Sequence, residues 1–241
     1  MQWTCLAPAS KLTEQHVAAI LDTGAANSVA SVTTARRLHL RMRRLEGAVT
    51  SAGIGRVSAQ FAVADTLHFA GHFFRNVPFI VLPDESLAVP VDHGVTRLEP
   101  IVGFSVLRRL GRVEFLQVGA KERLRVGAET PGGDMRQNLF LAGSLPMVLV
   151  SANGDPTPLR MALDTGANRS ALDPANESAT IIPRLTLKVG TRTSQLSRVP
   201  ISKGPENCDG TLGQDALRSG GGYIIDFEHM TVEVLATKPP P

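Results

Sequence analysis

Apolar residues along this chain fall in short runs bounded by turn formers, not in long helical stripes. Phe79–Leu82 and Pro146–Val150 are such runs and read as buried strands. Ser151-Ala152-Asn153-Gly154-Asp155 places an Asn-Gly turn signal before the strand that leads to Leu163. Arg112–Val118 with Leu124–Val126, and Tyr223–Leu235, read as further strand-like segments. Ser31–Leu40 carries Ala35, Arg36 and Arg37 and reads as a short helix. The pattern predicts an all-β fold, mainly strands with short helices. The 22 Gly and 16 Pro, with 1 Trp and 1 Tyr, agree with a turn-rich chain.

The strand pattern occurs twice. Ala18-Ala19-Ile20-Leu21-Asp22-Thr23-Gly24-Ala25-Ala26-Asn27-Ser28 is echoed by Arg160-Met161-Ala162-Leu163-Asp164-Thr165-Gly166-Ala167-Asn168-Arg169-Ser170. In both, apolar residues lead into Asp-Thr-Gly-Ala and a Ser follows. Each copy has a second element downstream: Pro100-Ile101-Val102-Gly103-Phe104-Ser105-Val106-Leu107, and Gly210-Thr211-Leu212-Gly213-Gln214-Asp215-Ala216-Leu217. Matching flanks around both motifs make chance a poor explanation. The repeat predicts two lobes, residues 11–127 and 138–237, joined by a linker at 128–137 that contains Thr130-Pro131-Gly132-Gly133-Asp134. The halves are unequal, and the extra material of the first is assigned to Thr50–Leu98.

A carboxylate at the end of a buried strand, present twice, suggests a specific chemistry. Two carboxylates brought face to face cannot both ionise cheaply, so one keeps a proton. Such a pair can hold one water, with the ionised partner as general base and the protonated partner polarising a carbonyl. The pair titrates as a unit, so the proton belongs to neither Asp22 nor Asp164 alone. Gly24 and Gly166 let the backbone turn sharply against the carboxylate. Ala25 and Ala167 keep the loop tight, and the hydroxyls of Thr23 and Thr165 could lock the two loops together. Read blandly, the pair is a duplicated structural turn without chemistry.

Two copies of apolar-apolar-Asp-Thr-Gly-Ala-x-x-Ser, each with a downstream apolar-apolar-Gly, resemble the pepsin/retropepsin superfamily. The Ala after Asp-Thr-Gly and the short lobes look most like the retropepsin-like aspartic peptidases of bacteria. The resemblance spans roughly residues 12–236. It implies a bilobal acid-protease fold, an aspartic endopeptidase acting on a peptide or protein substrate, and no metal or other cofactor. It carries the catalytic role onto Asp22 and Asp164 and the bracing role onto Thr23 and Thr165. With both halves in one chain, a monomer suffices. It also implies a flap, best matched by Ala52, Gly53, Ile54 and Gly55 within Val49–Phe61. An acidic optimum and export to the periplasm or outside the cell are further expectations. Two departures stand out. Ser105 replaces the Asp of Gly-x-Asp-x-Leu and is expected to cap its helix as Asp would. Thr211 in the apolar-apolar-Gly element is expected to loosen packing beneath Asp164. A rival class fits the same motif: a catalytically silent fold serving as a peptide-binding or scaffold module. A zymogen activated by N-terminal trimming is a third reading.

Composition narrows the remainder. A net charge of +3 is not the strong excess of a nucleic-acid binder, although Arg36, Arg37, Arg41, Arg43 and Arg44 bunch together. No apolar run approaches membrane-spanning length. Met1–Ser10 lacks the charged start and apolar stretch of a secretory leader. Cys5 and Cys208 form no CxxC pair; a long-range disulfide and two separate thiols both fit. His68 and His72 have helical metal spacing, but Gly71 and the surrounding Phe69, Phe73 and Phe74 argue against a helix. Ser28 and Ser170 lack the nucleophile elbow and read as loop hydrogen-bonders. Asp173 and Asp226 read as turn or surface carboxylates.

Overall fold

The computed structural model describes residues 3–9, 13–51, 55–91, 94–118, 121–127, 137–173, 179–204 and 207–236. Side chains are described at all of these except 3–9, 13–16, 44–51, 55–56, 89–91, 94–95 and 121. The structure is mainly β with a few short helices, and it divides into two compact units, Met1–Leu107 and Arg108–Pro241.

The first unit runs β1 (Trp3–Ala9), β2 (Thr13–Asp22), β3 (Ser28–Ser31), α1 (Val32–Arg37), β4 (Arg41–Ser51), β5 (Gly55–Phe69), β6 (His72–Leu82), β7 (Ala88–Val91), β8 (Gly94–Arg97), β9 (Ile101–Gly103) and α2 (Phe104–Leu107). One sheet takes the order β1-β2-β9-β3-β6-β5-β4, and β1 also pairs with β5, so the sheet curls back on itself. The helix expected at 31–40 is α1, shorter than predicted. It starts where Ser31 Oγ accepts the amide of Thr34 at 3.1 Å, an N-cap bond.

The second unit runs β10 (Arg112–Val118), β11 (Lys121–Val126), β12 (Leu139–Ala142), β13 (Leu145–Ala152), β14 (Leu159–Leu163), β15 (Ala171–Leu172), β16 (Ile181–Val189), β17 (Arg192–Pro200), β18 (Gly210–Leu212), α3 (Gln214–Leu217), β19 (Gly222–Asp226) and β20 (Thr231–Val234). Its larger sheet follows β15-β18-β14-β13-β16-β17, and a parallel bridge from Leu172 to Ile201 brings the end of β17 back beside β15. Alternation fills the interior: Leu185, Leu187 and Val189 of β16 are buried while Lys188 is exposed. A second sheet takes the order β11-β10-β19-β20. The hairpin 112–126, read from the sequence as the close of the first half, thus pairs with β19 and lies in the second unit. Of the linker expected at 128–137, only Gln137 is among the described residues.

The repeat is visible strand by strand. The β5–β6 hairpin corresponds to β16–β17, and each carries a buried cross-strand pair, Leu67 with Phe74 and Leu185 with Leu196. Two residues beyond each pair the backbone turns left-handed, at Asn76 (φ 52°) and Arg198 (φ 53°). Asn tolerates that region well and Arg does so rarely. The excess of the first half is therefore not a single block at Thr50–Leu98. It divides into α1 with β4, and the β7–β8 hairpin with its preceding turn Asp84–Leu87, because β5 and β6 between them belong to the shared plan.

Asp226 departs from its surface reading. It does accept the turn amides of Glu228 at 3.0 Å and His229 at 2.8 Å, but its side chain is 1% exposed. Its Oδ2 meets Arg112 Nη1 at 3.4 Å, and Arg112 Nη2 meets Glu114 Oε1 at 3.1 Å. β10 and β19 put these three groups in register, since Arg112 lies directly opposite Asp226. Cys208 is buried with its Sγ 3.7 Å from Met147 Sδ, and burial pushes its thiol up from the ordinary range. The Cys5 side chain, and with it any Cys5–Cys208 bond, lies outside the described residues.

Removing Arg112 would take the buried guanidinium away from two buried carboxylates. Arg112→Ala is expected to cost about 3–5 kcal/mol of stability. Arg125→Ala, whose side chain is 63% exposed where it meets Glu114, is expected to cost less than about 1 kcal/mol. Urea denaturation of the two variants checks the contrast, and equal losses would contradict it.

Candidate active site

In the first unit β2 and β9 run parallel, with Asp22 opposite Gly103. The chain leaves β2 at Asp22, turns, and re-enters as β3 on the other side of β9. Both strands flanking β9 thus belong to the motif, and the turn between them must fold over its end. Asp22 Oδ1 accepts the amides of Gly24 at 2.8 Å and Ala25 at 3.2 Å. Phe104 N donates to Ala25 O at 2.8 Å, and Gly103 N donates to Ser28 Oγ at 3.2 Å. A Cβ on Gly103 would stand 2.4 Å from Asn27 C, so only glycine fits beneath the turn.

The second unit repeats this bond for bond. β14 and β18 run parallel, β15 returns on the far side of β18, and Asp164 N donates to Leu212 O at 3.1 Å. Asp164 Oδ1 accepts the amides of Gly166 and Ala167, both at 2.9 Å. Gln214 N donates to Ala167 O at 2.9 Å, and Gly213 N donates to Ser170 Oγ at 3.0 Å. A Cβ on Gly213 would lie 2.5 Å from Arg169 C. Both carboxylates are half-buried, and Thr23 (0% exposed) and Thr165 (6%) are buried. Two amide donors on one oxygen limit how each carboxylate can turn.

Ser28 and Ser170 act as the loop hydrogen-bonders expected. Ser105 does not replace Asp215 as a cap. Asp215 Oδ1 accepts Ser170 N at 2.8 Å, Ser170 Oγ at 2.6 Å and Ala216 N at 2.9 Å. Ser105 Oγ is buried and has no hydrogen-bond partner among the described residues, its side chain being one bond shorter than that of Asp. Thr211 does not loosen the site. It is half-buried like Ile101 at the matching position, and its neighbour Leu212 is 0% exposed. Gln214 was missed from sequence: its Nε2 donates to Thr165 O at 2.6 Å and to Tyr223 Oη at 3.2 Å. Burial pushes the Tyr223 phenol well above its ordinary range. The signal was a polar residue at the start of α3 where α2 has Phe104.

The candidate flap is a hairpin of β4 and β5 whose last described pair is Ser51 with Gly55. Ala52, Gly53 and Ile54 lie outside the described residues. His68 and His72 sit on adjacent strands, not a helix, and His68 stacks on Phe73 at 4.3 Å. Among the described residues no three metal-ligating side chains cluster. Asp173 is half-buried and accepts Gly204 N, thirty-one residues on, at 2.8 Å.

Residues 10–106 match the family model described as aspartyl protease. The matched segment holds Asp22, its turn and Gly103, and ends before the second copy. No curated protein matches the chain.

The unequal anchoring of the two copies generates a test. Asp215→Ser is expected to cost about 1–3 kcal/mol, and Ser105→Asp to add about 0.5–1.5 kcal/mol by giving Ser28 the partner Ser170 has. Chemical denaturation followed on each variant decides. A destabilised Ser105→Asp would contradict the equivalence.

Proposed function

We propose that the chain is an aspartic-type endopeptidase in which Asp22 and Asp164 act as one catalytic pair. The observation that carries this reading is the duplicated anchoring: each carboxylate sits at the end of a parallel strand, with Oδ1 held by two amides of its own loop. The likeness of residues 10–106 to aspartyl proteases supports it from outside the geometry. In this reading the units are the two lobes of a retropepsin-like molecule, Thr23 and Thr165 brace the loops, and the β4–β5 hairpin is the flap. One chain supplies both carboxylates, so a monomer is sufficient, and export from the cytoplasm belongs to the same proposal.

The chemistry follows from two acids sharing one proton. The ionised member takes a proton from a water held between them as that water attacks the peptide carbonyl. The protonated member hydrogen-bonds the carbonyl oxygen and stabilises the charge developing there. Collapse of the tetrahedral intermediate returns a proton to the leaving amine and resets the pair. Holding each carboxylate by backbone amides limits its freedom to reorient, which positional catalysis requires.

Asp22→Asn and Asp164→Asn should each lower cleavage of a peptide library by at least about a thousandfold, since an amide can serve as neither acid nor base. Circular dichroism would verify that both variants fold. Full activity in both would sink the proposal, and peptide binding without turnover in the unaltered chain would identify the silent fold instead.

A further inference from the structure

The two copies differ in charge beside the motif. Where the first has Asn27, the second has Arg169, and where the first has left-handed Asn76, the second has left-handed Arg198. The two arginines are linked. Arg169 Nη2 donates to Ser197 O at 3.2 Å and also to Arg198 O. Arg184 lies directly across the hairpin from Ser197. Arg169, Arg184 and Arg198 are all exposed. None of them makes an ion pair among the described residues.

We infer that Arg169, Arg184 and Arg198 form a fixed cationic subsite beside Asp164 that selects peptides with Asp or Glu near the bond to be cut. Arg169 is five residues after Asp164, on the loop whose amides hold that carboxylate. Its backbone is packed over Gly213, and its guanidinium is tethered at one nitrogen, with two others left for a ligand. A tethered guanidinium loses little freedom on binding, and its fork matches a carboxylate. An arginine in a left-handed conformation is unfavourable for the fold alone, and such positions concentrate at ligand-binding sites. The first unit offers Asn27 in place of Arg169 and Asn76 in place of Arg198, and has one exposed arginine there, Arg75.

This inference rests on the peptidase reading, and its test separates the two. Peptide pairs differing only by Asp or Glu against Asn or Gln are assayed at a pH where the acids are ionised, above about 4–5. The unaltered chain should favour the acidic member of a pair roughly tenfold in kcat/KM. The preference should shrink with added salt, and also below about pH 4, where peptide carboxylates lose their charge and arginine does not. R169Q should erase it. Because that substitution also cuts the tether to β17, R184Q/R198Q is the second arm: the tether uses backbone carbonyls and survives. R198E should reverse the preference. Equal rates on acidic and neutral peptides, or a ratio unchanged in R184Q/R198Q, would overturn the subsite while leaving the peptidase intact. If no peptide is cut, fluorescence anisotropy with the same peptides judges the subsite alone. Acidic-selective binding lost in R184Q/R198Q upholds it and overturns the peptidase, and absence of such binding overturns the subsite.

Discussion

A carboxylate oxygen accepting two amides from its own next turn is the interaction on which each half is arranged. The bonds to Asp22 and Asp164 close a loop so tight that the chain can only return on the far side of a neighbouring strand. That neighbour must then end beneath the loop, where no Cβ fits. This is why Gly103 and Gly213 follow at the ends of β9 and β18. The serine six residues after each Asp takes the glycine amide, so the buried turn leaves few backbone donors without an acceptor. Motif, apolar strand and glycine are one construction, which explains why all three recur together.

The rest of each half serves to hold that construction still. The curled sheets bury much of the apolar side of their strands, such as Leu67, Phe74, Leu185 and Leu196. The first half carries α1 with β4, and β7 with β8, beyond this plan, and neither has a counterpart among the described residues of the second. Insertions at these two places leave the strands around the motif unchanged. Loop length is a weak term in stability, so such additions are tolerated where they do not cross the core.

Much of this was legible in the sequence, and what was not has a common physical cause. The Asp-Thr-Gly-Ala pair, the strand class and the glycine-ended elements are local patterns, and local patterns can be read from a single chain. Partners across strands cannot. Arg112–Val118 is strand-like in composition, but nothing within it says that it pairs with β19 rather than with the first half. Asp226 looked like a surface turn because burial of a carboxylate depends on Arg112, more than a hundred residues away, arriving in register. The first-half excess was misplaced for the same reason: β5 and β6 are recognisable as shared only once their likeness to β16 and β17 is seen in the pairing.

Where the copies diverge beside the motif, they do so in its loop and at the start of the short helix that follows the glycine. Ser105 against Asp215 changes how firmly the glycine-ended strand is tied to the motif loop. Phe104 against Gln214 changes what lies behind the threonine, since Gln214 reaches Thr165 O and Tyr223 together. Asn27 against Arg169 changes the charge presented beside the carboxylate. Each substitution makes the second half the more polar and the more heavily hydrogen-bonded of the two. A duplicated site that began with equal halves can in this way keep a shared carboxylate geometry while its two sides acquire different tasks, one carrying the inserted hairpin and the other the fixed charge. The asymmetry is therefore compatible with chemistry that needs the two carboxylates alike and the two flanks different.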